Sequence, residues 1–544
     1  MFILTIPAMK KIISKYISGT VVALAMTASL WSCDDFLTVR PKTEIPDYLL
    51  YANEDGFKSA LTGAYVKMRA NAYNPDGPMF AVMTMKSVGA FTELLACFHS
   101  HGTGTPGNPD HDFYWHEYTS ETCEARIAHV YQKLYEIVAN LNLTLKWIDD
   151  KDQDFLSNEM YGIIKGEALG LKALVMFDMV RIWGPMPGNA ASHNREYIPY
   201  PDVVDKSVYP LLTYTAFMQR LTEDLDEAER LLKSSDPIVP QHNSDLNQGI
   251  ATEDEWLAYR QNRMNYYAVC ALKARVMLWM GNHDSALEYA KLVIGAQAGG
   301  LKQFDFMAYD DYSEKEDNIG FVETIFGMPF DKSIGARPAS TLPAISTDMG
   351  MYGGVTLGYY GKHLQRVFPE STTNAQAMLA SPDLRLAKQI IQTRTAGRPP
   401  MSPHTVNTDL YYKYKPFDNN FSKTAAIPIL RLAEMYLIAA ECSPSLSDAA
   451  SYVNQLRTSR WDPAKTYTPV SFANEQEKME WITGEYVREF WLEGQIFFCY
   501  KRMGLDRIPY PSQQDNPNAA SSEVLMNEAA YVLPIPMAEI TIKE

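Results

Sequence analysis

Between residues 127 and 148 the apolar side chains step by three and four. Ile127, Val130, Tyr131, Leu134, Ile137, Val138, Leu141, Leu145 and Ile148 share one stripe, which predicts a long amphipathic helix. Ile164, Ala168, Leu171, Val175 and Ile182 predict a second helix with one apolar face, and Gly166, Gly170 and Ala173 beside it would let a neighbour approach closely. Gly184-Pro185 ends it, because Pro cannot continue the hydrogen-bond ladder. Phe217, Leu221, Leu225, Ala228 and Leu232 mark a third helix, and Tyr267, Cys270, Ala271, Ala274 and Met277 a fourth. Gly281-Asn282 then breaks the chain, with Asn282 as the cap of a helix carrying Leu287, Ala290 and Ile294. A later pair follows, with Leu432, Met435, Tyr436 and Ala439, then Ala449, Val453 and Leu456. One more helix is expected from about Glu475 to Arg502.

The segment Ala274, Gly281, Ala286-Leu287 resembles the tetratricopeptide arrangement of small residues around a tight turn, whose usual period is about 34 residues. The fold class expected is mainly α: a tetratricopeptide-like helical-repeat scaffold over about 121–295 and 428–504. Two stretches break the pattern. Residues 71–120 are rich in Gly, Pro, His and aromatics, and residues 300–425 in Gly, Pro, Tyr and Asp. Loops this long in a compact chain are usually functional or disordered, and their aromatic content argues for function. They are read as a loop-rich ligand lobe on the scaffold.

The first 32 residues read as a targeting segment, not as fold. Lys10, Lys11 and Lys15 precede an apolar stretch from Ile17 to Trp31, and Met9 offers an alternative start. Leu30-Trp31-Ser32-Cys33 resembles a bacterial lipobox, with Trp31 where a small residue is usual, and makes Cys33 the expected lipidation site. The apolar run is shorter than the roughly 20 residues a membrane-spanning helix needs. Two acyl chains would anchor it stably. The domain expected after it is 33–544.

The formal net charge is -16, and removing three Lys with the leader makes it -16 - 3 = -19. Such acidity, without a Lys/Arg cluster, argues against nucleic-acid binding. The six cysteines are widely spaced with no Cys-x-x-Cys, so neither a disulfide framework nor a zinc site is indicated. Cys270 and Cys499 fall in apolar helical patterns and are expected to be buried thiols.

Gly102-Thr103-Gly104-Thr105-Pro106-Gly107 spells G-x-G-x-x-G but lacks the strand and helix a dinucleotide site requires. His99, His101, His111 and His116 share one stretch with Asp110, Asp112 and Glu117, but not at a spacing that aims them at one ion, so no metal is assigned. The acidic run Asp310, Asp311, Glu314, Glu316 and Asp317 has Lys315 where a calcium loop needs Gly. No nucleophile elbow, zincin motif or P-loop occurs, and no cofactor is implied.

Several motifs resemble one family in order along the chain. Gly166-Glu167-Ala168, Leu171, Ala173, Phe177-Asp178, Val180-Arg181, Gly184 and Pro187 are similar to the signature second helix of SusD/RagB-type outer-membrane lipoproteins. Pro428-Ile429-Leu430-Arg431-Leu432-Ala433-Glu434 with Tyr436-Leu437 and Ala440-Glu441 resembles a second signature. Glu485, Glu489-Phe490, Glu493-Gly494, Phe497-Phe498, Arg502 and Gly504 resemble a third. Leu533-Pro534-Ile535-Pro536 with Glu539-Ile540 is similar to the family's ending, and Cys33-Asp34-Asp35-Phe36-Leu37 to its mature start. Tyr486, Ile496 and Cys499 stand where the family often has Arg, Arg and Asp, so apolar packing is expected there in place of an ion-pair network.

The resemblance implies a cell-surface, lipid-anchored protein of the outer membrane that captures oligosaccharides for a SusC-like TonB-dependent transporter and catalyses nothing. Two rivals are a repeat-based interaction or peptide-binding lipoprotein, and a surface glycosidase, for which no facing carboxylate pair stands out. Sugars present apolar C–H faces, so the binding residues should be exposed aromatics on rigid loops. By context these are Tyr73 with Tyr114 and Trp115, and Tyr312 with Tyr352, Tyr359 and Tyr360, with His99 and Asn108 as hydroxyl partners.

Overall fold

The computed structural model describes residues 46–69, 71–72, 82–83, 92–97, 109–151, 155–205, 207–248, 254–313, 320–329, 367–370, 380–393, 408–410, 426–491, 493–509 and 523–536. Up to Gly56 the described residues hold a one-turn helix, Asp47–Leu50, and the start of helix α1, Glu54–Arg69. The rest is a succession of helices: α2 Glu121–Asp149, α3 Asn158–Trp183, α4 Tyr214–Ser235, α5 Tyr266–Trp279, α6 His283–Ile294, α7 Leu432–Cys442, α8 Leu446–Ser459, α9 Glu475–Phe490 and α10 Ile496–Met503. From α2 to α10 each helix packs on the next in sequence, and α9 also packs on α7. This is the helical-repeat, tetratricopeptide-like architecture that the periodicity predicts. Among the described residues no helix is long and apolar enough to cross a membrane.

The starts of these helices are written locally. Ser120, Ser157, Thr213, Asn265, Asn282, Ser445 and Asn474 each accept a backbone N–H of the first turn through the side chain, which satisfies donors a helix start leaves open. The C-terminus of α3 is closed from a distance. The buried Lys501 ammonium on α10 donates to the carbonyls of Arg181 at 2.7 Å and Gly184 at 2.8 Å. Burial, with Arg181 nearby, holds that Lys501 amine well below its usual range.

Helix α3 departs from the one-faced reading. Between Met160 and Trp183 every residue but Tyr161 and Lys165 is buried, because α2 and α4 both pack against it. Its glycines permit the approach: a Cβ on Gly162 would sit 2.6 Å from Ser235 Oγ, and one on Gly166 2.7 Å from Leu232 Cγ. The single helix expected over 475–502 is two helices. They are separated by a turn in which Gly494 takes φ 71°, a left-handed value that favours glycine.

Between α6 and α7 the chain makes its long excursion. Strand β1, Thr324–Pro329, pairs antiparallel with β2, Ala426–Arg431, with Thr324 opposite Arg431 and Pro329 opposite Ala426. The excursion over 330–425 therefore leaves and returns at one end of a two-stranded ribbon. At the other end lies a buried cluster of charges. Arg431 and Arg460 both meet Glu323 and Glu489, and Arg385 meets Asp383, Glu485 and Glu489. Tyr486, Ile496 and Cys499 are buried, as apolar packing there requires. An ion-pair network is nevertheless retained beside them, because Glu485 and Glu489 on α9 find arginines from β2, α8 and the 380–393 segment. Cys97, Cys123, Cys270, Cys442 and Cys499 are free, buried thiols. Burial pushes the Cys270 and Cys499 thiols up to about 12, which leaves them un-ionised at neutral pH. Cys33 lies outside the described residues.

Candidate functional site: a tryptophan held out on a strained turn

The turn at Gly494 fixes the first wall of the site. Gly494 donates its N–H to Glu93 Oε1 at 2.8 Å and accepts from Thr92 Oγ1 at 3.0 Å, so residues 92–97 are pinned to the break between α9 and α10. That short segment ends at Cys97, whose φ of 51° is left-handed. Cys97 Sγ donates to the carbonyl of Tyr114 at 3.2 Å.

The second wall is the helix Pro109–Tyr114 and the turn that follows. His116 is also left-handed, with φ 59°. Its N–H donates to Phe113 O at 3.2 Å, Glu117 N–H to Asp112 O at 2.8 Å, and the His116 Nε2–H to Leu95 O at 2.9 Å. Two non-glycine residues in this conformation, bonded across to each other's segments, store strain that the surrounding hydrogen bonds hold in place. Between them Trp115 projects outward, 41 % exposed, with its ring 5.3 Å from Tyr114 and nearly perpendicular to it. Strained, over-determined backbone presenting an apolar ring to solvent is a common arrangement at ligand sites.

Burial pushes the His116 imidazole down to about 4, against the smaller pull of the Leu95 carbonyl. The folded protein therefore holds a neutral ring where the unfolded chain takes up a proton near its ordinary value of 6.5. Between those values the unfolded state binds more protons, so stability falls as the pH drops from about 6.5 towards 4, by roughly 3 kcal/mol in all. His116→Gln does not titrate. Urea unfolding from pH 7 to 4 is expected to show a flatter acid limb for it; equal slopes for the variant and the parent contradict the assignment.

The other expected platforms fare differently. Tyr114 is buried because 109–114 is helical and turns that ring inward rather than leaving it on a loop. Tyr312 is buried for the same reason. It lies in the short helix Tyr309–Ser313 and packs with Met307 and Leu384, and its hydroxyl has no hydrogen-bond partner among the described residues. Neither ring offers an open face. Tyr73, His99, Asn108, Tyr352, Tyr359 and Tyr360 lie outside the described residues. Among the described residues no group of three or more His, Cys, Asp or Glu could hold a metal ion. Sequence reasoning missed the clamp formed by Thr92, Glu93, Cys97 and His116; the pair Glu493-Gly494 was the available signal that a sharp turn needed a partner.

Comparison with known proteins agrees with this architecture. The family model described as SusD family matches residues 361–543, and one described as starch-binding, associating with outer membrane, matches residues 105–278. The chain belongs to the SusD/RagB family. It is 21% identical over 532 residues to SusD-like protein P25 of Formosa agariphila, covering 90% of each chain. A SusD superfamily protein of Bacteroides thetaiotaomicron has the same fold, with a TM-score of 0.63 at 19% identity over 90% of this chain and 98% of that one. Surface glycan-binding protein A of the same organism aligns with a TM-score of 0.58 at 18% identity, covering 91% of this chain and 98% of its own.

Proposed function

We propose that this protein is a cell-surface glycan-binding lipoprotein. In this reading it is lipidated at Cys33, lies at the outer membrane, and captures oligosaccharides for a SusC-like TonB-dependent transporter without chemically altering them. Family membership supports the class, as does the glycan-binding name of a protein sharing the fold. The observation that carries the reading is Trp115, a half-exposed indole whose turn is fixed by bonds from Cys97 and His116. A rigid, part-exposed aromatic ring stacks on the C–H face of a pyranose with little ordering cost, while nearby polar groups bond its hydroxyls. The ligand lobe is assigned to about 71–120 and 300–425, with Trp115 at the end of its first part and Tyr73, Tyr352, Tyr359 and Tyr360 as further stacking candidates.

Calorimetric titration of Trp115→Ala against the oligosaccharide that an array selects tests this. Loss of one stacking platform is worth about 1–3 kcal/mol, by analogy with bases stacked on aromatics, so affinity should fall at least fivefold. Parent-like affinity in a folded variant removes Trp115 from the site.

A further inference from the structure

The connection between α4 and α5 carries two rings that lie outside both aromatic-rich stretches of the sequence. Trp256 is fixed from several sides. Its backbone N–H donates to Asp254 Oδ1 at 2.9 Å, and its indole N–H to Thr62 Oγ1 of α1 at 3.3 Å. The Arg263 guanidinium lies 3.7 Å from the ring centroid and is itself held by the buried carboxylate of Glu167. The Lys58 ammonium lies 5.7 Å from the same centroid, so two cations crowd the indole, which remains only part-exposed.

Three residues on, Tyr259 is 50 % exposed and left-handed, with φ 53°. Its N–H donates to Leu246 O at 3.1 Å, and its carbonyl accepts from Asn262 N–H at 2.8 Å. The next residue, Arg260, is wholly buried in ion pairs to Glu167 and Asp236. The backbone at Tyr259 is therefore held in a conformation that disfavours any residue with a Cβ. Its ring and hydroxyl make no hydrogen bond or ring contact with the described residues, so no such contact of the side chain offsets that strain. Glycine would suit the turn better. An exposed ring at such a position serves the surface rather than the fold.

We propose that Tyr259, held on the turn that follows the fixed Trp256, forms a second stacking platform, for the pyranose units of a long glycan, on the helical scaffold and separate from Trp115. This rests on the glycan-binding reading above. Two platforms on one chain favour polysaccharides, because binding at the first raises the effective concentration of sugar at the second.

The test uses the soluble protein, a panel of starch, xylan, mannan and pectin in affinity gels, and thermal melting. Tyr259→Gly should weaken retention by the polysaccharide that holds the parent by about tenfold, while melting at or above the parent temperature. Tyr259→Phe, which keeps the ring face, should bind like the parent. Unchanged retention of Tyr259→Gly overturns the second platform and leaves the glycan reading standing. A lower melting temperature for Tyr259→Gly assigns the ring to packing and also overturns it. A parent protein retained by no polysaccharide in the panel counts against both.

Discussion

Replacing Glu489 with Ala should destabilise the fold by about 3–5 kcal/mol, the range for leaving buried charges without their partner. The side chain is nearly fully buried. Its Oε1 accepts from Arg431 at 2.8 Å and Arg460 at 2.8 Å, and its Oε2 from Arg385 at 2.9 Å and Arg460 at 3.1 Å. Burial alone would raise the pKa of this carboxyl, but the guanidiniums of Arg460, Arg431 and Arg385 outweigh it and hold the group well below the usual range. Those arginines come from β2, the C-cap of α8 and the 380–393 segment, so the one carboxylate joins the scaffold to the returning strand and to the interior of the long excursion. The contribution has a defined pH dependence. A depressed carboxylate stabilises the fold above its unfolded pKa, near 4.3, and that stabilisation declines as the pH falls below it. The gap between the parent and Glu489→Ala should therefore be constant from pH 6 to 8 and narrow below about 4. Glu227→Ala is the control. Its partner Arg230 is exposed, and such pairs are worth at most about 1 kcal/mol. Denaturant unfolding that gives similar losses for Glu489→Ala and Glu227→Ala contradicts the account.

Arg260→Met should cost a similar 3–5 kcal/mol. Arg260 is wholly buried between α3 and the end of α4. Its Nε and one terminal nitrogen donate to the two oxygens of Asp236 at 2.8 Å each, and the other terminal nitrogen donates to Glu167 at 2.6 Å. Burial raises the Glu167 pKa, but Arg263 and Arg260 outweigh it and keep the carboxyl ionised below its usual range. Met fills the volume but leaves both carboxylates short of a donor, so the loss reports charge rather than a cavity. Arg260→Lys should recover little, since an ammonium cannot bridge the same three oxygens as a planar fork. Full recovery by Lys in denaturant unfolding counts against this geometry.

Much of the scaffold was legible because its helices carry local signals. The step of three and four from Ile127 to Ile148, and the cap at Asn282, translate directly into α2 and the start of α6. The central helix was misread because a stripe of apolar positions does not reveal that the remaining face is also covered; in α3 even Lys172, Asp178 and Arg181 are buried. The ion-pair network was illegible as a network. Glu323, Arg385, Arg431, Arg460 and Glu489 are far apart in sequence, and each charge alone reads as solvated. The one local sign was that Lys478, Ile482, Glu485 and Glu489 share the buried stripe of α9, so charges occupy core positions. At the candidate site, context alone marked Trp115 correctly as an exposed ring. It failed for Tyr114 and Tyr312 because short helices inside nominal loops turn those rings inward. Tyr259 was overlooked because left-handed backbone at a non-glycine residue leaves no trace in composition or period.

Sugar binding is the property on which the proposed function rests. The chain from residue 34 onward, without the proposed lipidation site Cys33, can be applied to a glycan array and the signals competed with free oligosaccharide. Retention is expected on one related set of glycans, competed by the matching free sugar and reduced at least fivefold by Trp115→Ala. A folded protein that binds no glycan on the array would contradict it.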